Sequence, residues 1–260
     1  MNDASDTFAS NTALYASSDF TEGVDWARRF RRHELFDDSL PRTDEGARTV
    51  IIAPHGGGIE PGTSELCLAV AGYHPAMLPE TPPAGVTYDY WMFEGLRSGD
   101  NDVLHVTSTG CDDPIALSLC GGALHALSLH GFKLDPEDAH NVLIGGLAED
   151  NLREALRDAL NGASADFKAI LPGQGDGELD GNRHCNIVNR TRLGAGIQLE
   201  LSLPLRQSMF GEFTRARRKH TTNQVFWTFV AVCRDVIEGL EAERLAPPPC
   251  KEPQPTLTTS

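Results

Sequence analysis

The sequence predicts an α/β fold: one domain with a mixed, mostly parallel central sheet flanked by helices. Three observations predict it. Short aliphatic runs recur along the chain, several of them closed by Gly or Pro. Amphipathic stretches of helical period separate those runs, the alternation expected of βα units. The 260 residues are 40% hydrophobic with no compositional break, so a single sizeable core is expected.

The elements follow in order. Thr49-Val50-Ile51-Ile52-Ala53 is β-branched and reads as a buried strand that stops at Pro54 and three glycines. Thr63–Ala71 follows as a helix, with Thr63 or Ser64 as its cap. Val103–Thr107 reads as a second strand, Pro114–Cys120 as a helix start and Ala123–Leu129 as a third strand. Asn141–Ile144 is a fourth strand, and Glu149–Leu160 an amphipathic helix. Gly196–Leu201 is a late strand and Thr222–Leu240 a long closing helix. The domain is expected over residues 21–243. Residues 1–20 are polar and expected to fray, and 244–260 are Pro- and Thr-rich and expected to be disordered.

Charge and cysteine usage narrow the classes. A net charge of −15 repels phosphate backbones and anionic lipid, so neither nucleic acid nor membrane is an expected partner. The cluster Arg215, Arg217, Arg218, Lys219 and His220 reads as a solvated helix face. A second basic group, Arg183-His184 with Arg190 and Arg192, lies in a Gly-rich stretch. No apolar run reaches 18 residues, and the acidic start lacks the basic and apolar regions of a secretory signal. A cytoplasmic monomer, released on lysis if it acts outside, is the expectation. Six cysteines without a CxxC pair form no disulfide framework and read mostly as small buried residues.

In open α/β sheets, ligands bind beyond the carboxyl ends of the strands. His55 follows the first strand, His130 the third, and Glu200 closes the late one. Three residues competent for metal or proton chemistry are thus sent to one sheet edge. Zinc takes imidazole nitrogen and carboxylate oxygen, with three protein ligands and one open position at catalytic sites. His55 and Glu60 lie five residues apart across Gly56-Gly57-Gly58, a turn that can bring both to one ion. His130, followed by Gly131, is the best third ligand. Glu65 is a rival for Glu60, but its helix position suggests a solvent-facing or capping role. The same turn could instead cradle an anion, although it lacks the Lys-Ser/Thr ending of a P-loop and no GxGxxG is present.

Ala53-Pro54-His55-Gly56-Gly57-Gly58-Ile59-Glu60-Pro61-Gly62-Thr63-Ser64-Glu65 closely resembles the signature of the poly-γ-glutamate hydrolase family. The similarity continues in order through Phe93-Glu94-Gly95, Leu104–Ser108, Asp112-Asp113-Pro114, Ala126–Gly131, Ile144–Leu147, Asn186–Arg190 and Gly196–Ser202. It spans roughly residues 20–240. The resemblance implies a fold like that of zinc carboxypeptidases. It implies one zinc ion on His55, Glu60 and His130, and Glu200 as general base. It also implies that Asn189 and Arg190 grip a substrate carboxylate, with His105 or Arg183 as further substrate contacts. The implied substrate is an anionic γ-glutamyl polymer, cleaved at its amide bonds. A polyanion facing a chain of charge −15 requires a locally basic cleft, which Arg183, His184, Arg190 and Arg192 are expected to supply. Two other readings stay open: a zinc deacylase of small N-acyl-glutamate-like molecules, and a non-catalytic, phage-related binding protein. Residues 74–90, rich in Pro, read as an inserted loop that could reshape the cleft.

Overall fold

A computed structural model describes residues 6–33, 48–77, 86–133, 140–173 and 177–245. The strands are β1 (Trp26–Arg31), β2 (Thr49–Gly57), β3 (Asp89–Gly95), β4 (His125–Phe132), β5 (Val142–Gly145), β6 (Ala169–Ile170) and β7 (Ile197–Ser202). The helices are α1 (Asn11–Tyr15), α2 (Thr63–Val70), α3 (Pro114–Gly122), α4 (Asp150–Ala163), α5 (Leu203–Ser208) and α6 (Gln224–Leu245). The strands form one sheet in the order β1-β3-β2-β4-β7-β5-β6. The β1–β3 and β5–β7 pairs are antiparallel and the others parallel, which is the mixed, mostly parallel sheet expected.

Each face of the sheet buries its own cluster. Ile51 and Ala53 of β2, Leu127 and Leu129 of β4, and Ile197, Leu199 and Leu201 of β7 pack against α2, α4 and α6. Val50, Ile52 and Ala126 pack on the other face against Leu14 of α1 and α3. Strands covered on both sides read as continuous apolar runs, hence the legibility of β2. In β4 and β7 the period of two breaks this pattern on one face. Ser128 and His130 stand opposite Gln198 and Glu200 in parallel register, all four buried. That buried polar strip is the start of the site.

Several expectations are corrected. Val103–Thr107 is not a strand, because β2 and β4 already have neighbours on both edges. Asn101–Leu104 is instead a 3₁₀ turn, pinned where the Asn101 amide bonds the backbone of Arg97 through both its oxygen and its nitrogen. Neither Thr63 nor Ser64 caps α2. The cap is Gly62 at φ 103°; the Thr63 hydroxyl donates to Glu60 O at 2.9 Å, and Ser64 Oγ accepts from Gly57 N at 2.8 Å. Residues 6–20 are packed rather than frayed. Leu14 is fully buried, Tyr15 stacks on Trp26 at 4.5 Å, and Asp112 accepts from Thr12 N. The proposed loop at 74–90 runs partly outside the described residues, and its end enters β3 at Asp89. The 244–260 tail lies outside them beyond Leu245. Four of the five described cysteines are buried and all five are free thiols. No helix among the described residues is long and apolar enough to cross a membrane.

Candidate metal centre

His55 lies in the last turn of β2 and is 4% exposed. Its Nε2 donates to Val106 O at 2.8 Å, which leaves the Nδ1 lone pair free to face inward. The chain then reverses through Gly57, at φ 67°, where a Cβ would lie 2.4 Å from Gly95 O. Glu60 N donates to His55 O at 2.8 Å and closes the reversal. Glu60 Oε1 thereby sits 3.0 Å from His55 Nδ1.

His130 arrives from β4. Its Nε2 is held by Ser128 Oγ at 2.7 Å and Ser108 Oγ at 3.3 Å, so its Nδ1 is again the inward atom. That Nδ1 lies 3.1 Å from His55 Nδ1 and 3.7 Å from Glu60 Oε2. Two imidazole nitrogens 3.1 Å apart thus face one carboxylate, whose Oε1 lies 3.0 Å from His55 Nδ1 and whose Oε2 lies 3.7 Å from His130 Nδ1. Ligands about 2.0–2.1 Å from a tetrahedral ion sit about 3.3–3.4 Å apart. Spacings of this order suit a small divalent cation, and both imidazoles have the outer hydrogen bonds that fix a ligand's orientation.

His105 competes for the third corner. Its ring lies 3.9 Å from that of His55, and His55, Glu60 and His105 can each offer a ligand atom within 4.8 Å of the others. His105 has Nδ1 at 2.6 Å from Asp6 Oδ1, while Asp6 Oδ2 accepts from Thr107 N at 2.6 Å. Asp6 therefore orients His105 from a segment expected to be loose.

Glu200 is 5% exposed and pairs in register with His130. Its Oε1 accepts from Gln198 Nε2 at 2.9 Å. Burial, then the negative charge of Glu60, pushes its carboxyl well above the ordinary range. Burial works the same way on Glu60, but the charge and hydrogen bond of His55 overcome it and hold Glu60 well below that range. For His130, burial lowers the pKa. The two carboxyls are driven apart, one kept ionised and one poised to carry a proton, which is the signature of divided roles.

Arg206 was not read from the sequence. It is 3% exposed, and it donates to Leu201 O at 3.1 Å and Pro61 O at 2.7 Å. Its charge acts on both Glu60 and Glu200. Gly131 exists for it: a Cβ there would lie 2.3 Å from Arg206 Cζ. The strand-ending Ser202-Leu203-Pro204, with Ser202 Oγ capping α5, was the available signal for a short helix carrying it.

Other expected site residues fall elsewhere. Asn189 is 2% exposed, and its amide is fully used. Its oxygen accepts from Leu147 N and Gly196 N, and its nitrogen donates to Gly181 O and Arg183 O. It braces loops and has no atom left for a substrate carboxylate. Arg190 lies beside Gly121 and Arg192 N bonds Ala123 O, both at the turn entering β4. His130 is near that strand's exit, so the structure does not bring Arg190 or Arg192 to it. Arg183 is exposed, on the loop whose Asn186 holds Gln198 and, through it, Glu200. Glu65 is neither solvent-facing nor a cap: it is buried and paired with buried Arg218 at 3.1 Å. In the cluster from 215 to 220, Arg215, Arg217, Lys219 and His220 are solvated as expected, but they lie on turns and a 3₁₀ helix rather than one helix face, and Arg218 is buried in that pair.

A mixed sheet whose central strands bring two imidazoles to the carboxylate of the turn after β2, with a second buried carboxyl beside them, defines an α/β protein with a candidate metal centre. Comparison gives the family. The family model for poly-gamma-glutamate hydrolase matches residues 32–232, and the chain belongs to that family. It is similar to the SPbeta prophage-derived protein YoqZ of Bacillus subtilis (strain 168), 38% identical over 190 residues. That match covers 73% of this chain and 62% of YoqZ, so the chain spans less than two thirds of that relative. Among solved structures it is similar to a bacteriophage poly-gamma-glutamate hydrolase, with 27% identity and a TM-score of 0.72 over 92% of this chain and 99% of the other. A zinc-free form of YndL, a Bacillus subtilis protein, gives 29% identity and a TM-score of 0.70 over 90% and 98%.

Proposed function

We propose that the chain hydrolyses the γ-glutamyl amide bonds of poly-γ-glutamate at a single zinc ion held by His55, Glu60 and His130. The observation that carries this reading is the approach of His55 Nδ1, His130 Nδ1 and the Glu60 carboxylate to within 3.0–3.7 Å, with Glu200 in register beside His130. Family membership and the similarity to a phage hydrolase and to a protein described in a zinc-free form support the substrate and the metal.

Zinc bound there supplies Lewis acidity and lowers the pKa of a bound water. The chain's own residues do the rest. Glu200 takes a proton from the attacking water at a carboxylate oxygen and returns it to the leaving nitrogen. Gln198 fixes the Glu200 carboxyl, and buried Arg206 tempers the repulsion between Glu200 and Glu60. His105, whose Nδ1–H is held by Asp6, presents the Nε2 lone pair and so accepts a hydrogen bond from substrate rather than donating one. Of the expected basic group, exposed Arg183 and His184 are left to meet substrate carboxylates.

The test is the chain length of poly-γ-glutamate, followed by size exclusion. The zinc-loaded protein is expected to shorten it, a chelator to stop the shortening, and added zinc to restore it. Polymer left intact by zinc-loaded protein overturns the reading. Ser128→Ala removes a hydrogen bond behind His130 rather than a ligand. It is expected to weaken zinc binding by about 10–100-fold, measured by competition with a chromogenic chelator.

A further inference from the structure

A cavity of 660 Å³ opens beside the turn that follows β2. Gly57, two residues past His55, lines it, with Arg29, Glu65, Glu94, Arg215 and Lys219 among the rest of its wall. The size falls in the range of about 300–1,000 Å³ typical of ligand sites. Its charge runs against that of the molecule. Arg218 pairs with Glu65 at 3.1 Å and Arg29 with Glu94 at 3.3 Å, so both wall carboxylates are answered. Arg215 and Lys219 are exposed and have no acidic partner among the described residues. A chain of net charge −15 therefore holds a locally positive hollow next to its candidate metal centre.

Two of the lining side chains carry buried polar atoms with no hydrogen-bond partner: Nη2 of Arg29, a donor, and Oε2 of Glu65, an acceptor. Glu65 is 8% exposed. Buried groups left unmatched in this way are uncommon and costly. Both atoms lie beneath the wall rather than on its surface, so what a ligand meets in the hollow is the surplus positive charge of Arg215 and Lys219. Each unit of a γ-linked glutamyl chain carries one free α-carboxylate that matches it.

We propose that this cavity is a carboxylate subsite that holds a γ-linked glutamyl unit of the polymer, away from the bond being cut. The Arg29 guanidinium and the surplus charge of Arg215 and Lys219 receive the α-carboxylate. The assignment rests on the polymer reading above, and the two are tested apart.

Polymer hydrolysis by the parent protein reports the reaction. Titration of the zinc-loaded Glu200→Gln chain with a γ-linked oligoglutamate reports the subsite. In that background, Arg215→Ala with Lys219→Ala, both exposed positions, is expected to weaken oligomer binding about ten-fold or more and to flatten its salt dependence. Lys168→Ala, exposed beside β6, serves as the control. Affinity unchanged in the double variant overturns the subsite even if the polymer is cut. Free glutamate competing as well as the oligomer also overturns it, by showing a pocket for the free amino acid. Loss of oligomer binding in the double variant supports the subsite whether or not the parent cuts the polymer.

Discussion

Glu200→Gln is expected to lower kcat by about 10²–10⁴-fold, the contribution of a positioned acid/base group. Zinc content should stay at the parent level, since Glu200 is not one of the three proposed ligands. Gln keeps the shape and one acceptor for Gln198 but can carry no proton at pH 7. A second readout separates a lost base from a damaged fold. In the metal-free chain, Glu200 has its carboxyl raised above the unfolded value of about 4.3. The folded state therefore binds the extra proton, and its stabilising effect is complete below that unfolded value. It is lost as pH rises toward the folded-state pKa. Glu60 is shifted the other way, so its contribution is present above the unfolded value and lost only in acid. Melting temperature in chelator should thus fall as pH rises from 5 to 9 in the parent, and the Gln variant should show a shallower fall. A kcat within a few-fold of the parent would remove Glu200 from the mechanism.

Arg218→Ala is expected to cost about 3–5 kcal/mol of stability, because it strips the partner from a buried carboxylate. Arg218 and Glu65 side chains are 4% and 10% exposed, so solvent does little to replace the lost charge. Denaturant unfolding at neutral pH measures it. Burial already raises the Glu65 carboxyl, and removal of Arg218 raises it further. The penalty should therefore be smaller at pH 5, where a neutral Glu65 is accessible, than at pH 8. Arg218 Nη2 also donates to Gly57 O at 3.0 Å. Slackening of that turn should weaken zinc binding as well, although Arg218 is no ligand. Stability unchanged at pH 8 would show that the pair contributes nothing net.

The positions of His55, Glu60, His130 and Glu200 could be read from the sequence because each lies on or beside a strand exit. Buried strands in a parallel sheet announce themselves as aliphatic runs, and their exits are where ligands gather. What could not be read depends on distant partners. Asp6 meets His105 across 99 positions, and Glu65 meets Arg218 across 153. Nothing local to Glu65 distinguishes a buried ion pair from a solvated helix charge. Strand β1 was missed for a related reason: Arg28, Arg29 and Arg31 mask its pattern, as charges on an edge strand do. Val103–Thr107 was misread because β-branched composition shows preference for a strand but not the vacancy of a neighbour. Arg190 and Asn189 show the limit of a motif carried over without its setting, since one stands at a strand entrance and the other is consumed by backbone.

The proposed ligands draw on β2 and β4, with His55 and His130 separated by 75 positions. Bringing such distant segments together carries a loop-closure cost that must be met before any contact between them forms. An ion at the proposed site would not nucleate this protein as it nucleates a small zinc finger, whose ligands are near in sequence. It would bind once β2 and β4 are paired and would then tie those two strands by mass action in proportion to its free concentration. Under the proposed reading, metal is a late clasp on a finished sheet, and the interval between folding and metal capture is a stage at which the chain is assembled but not yet active.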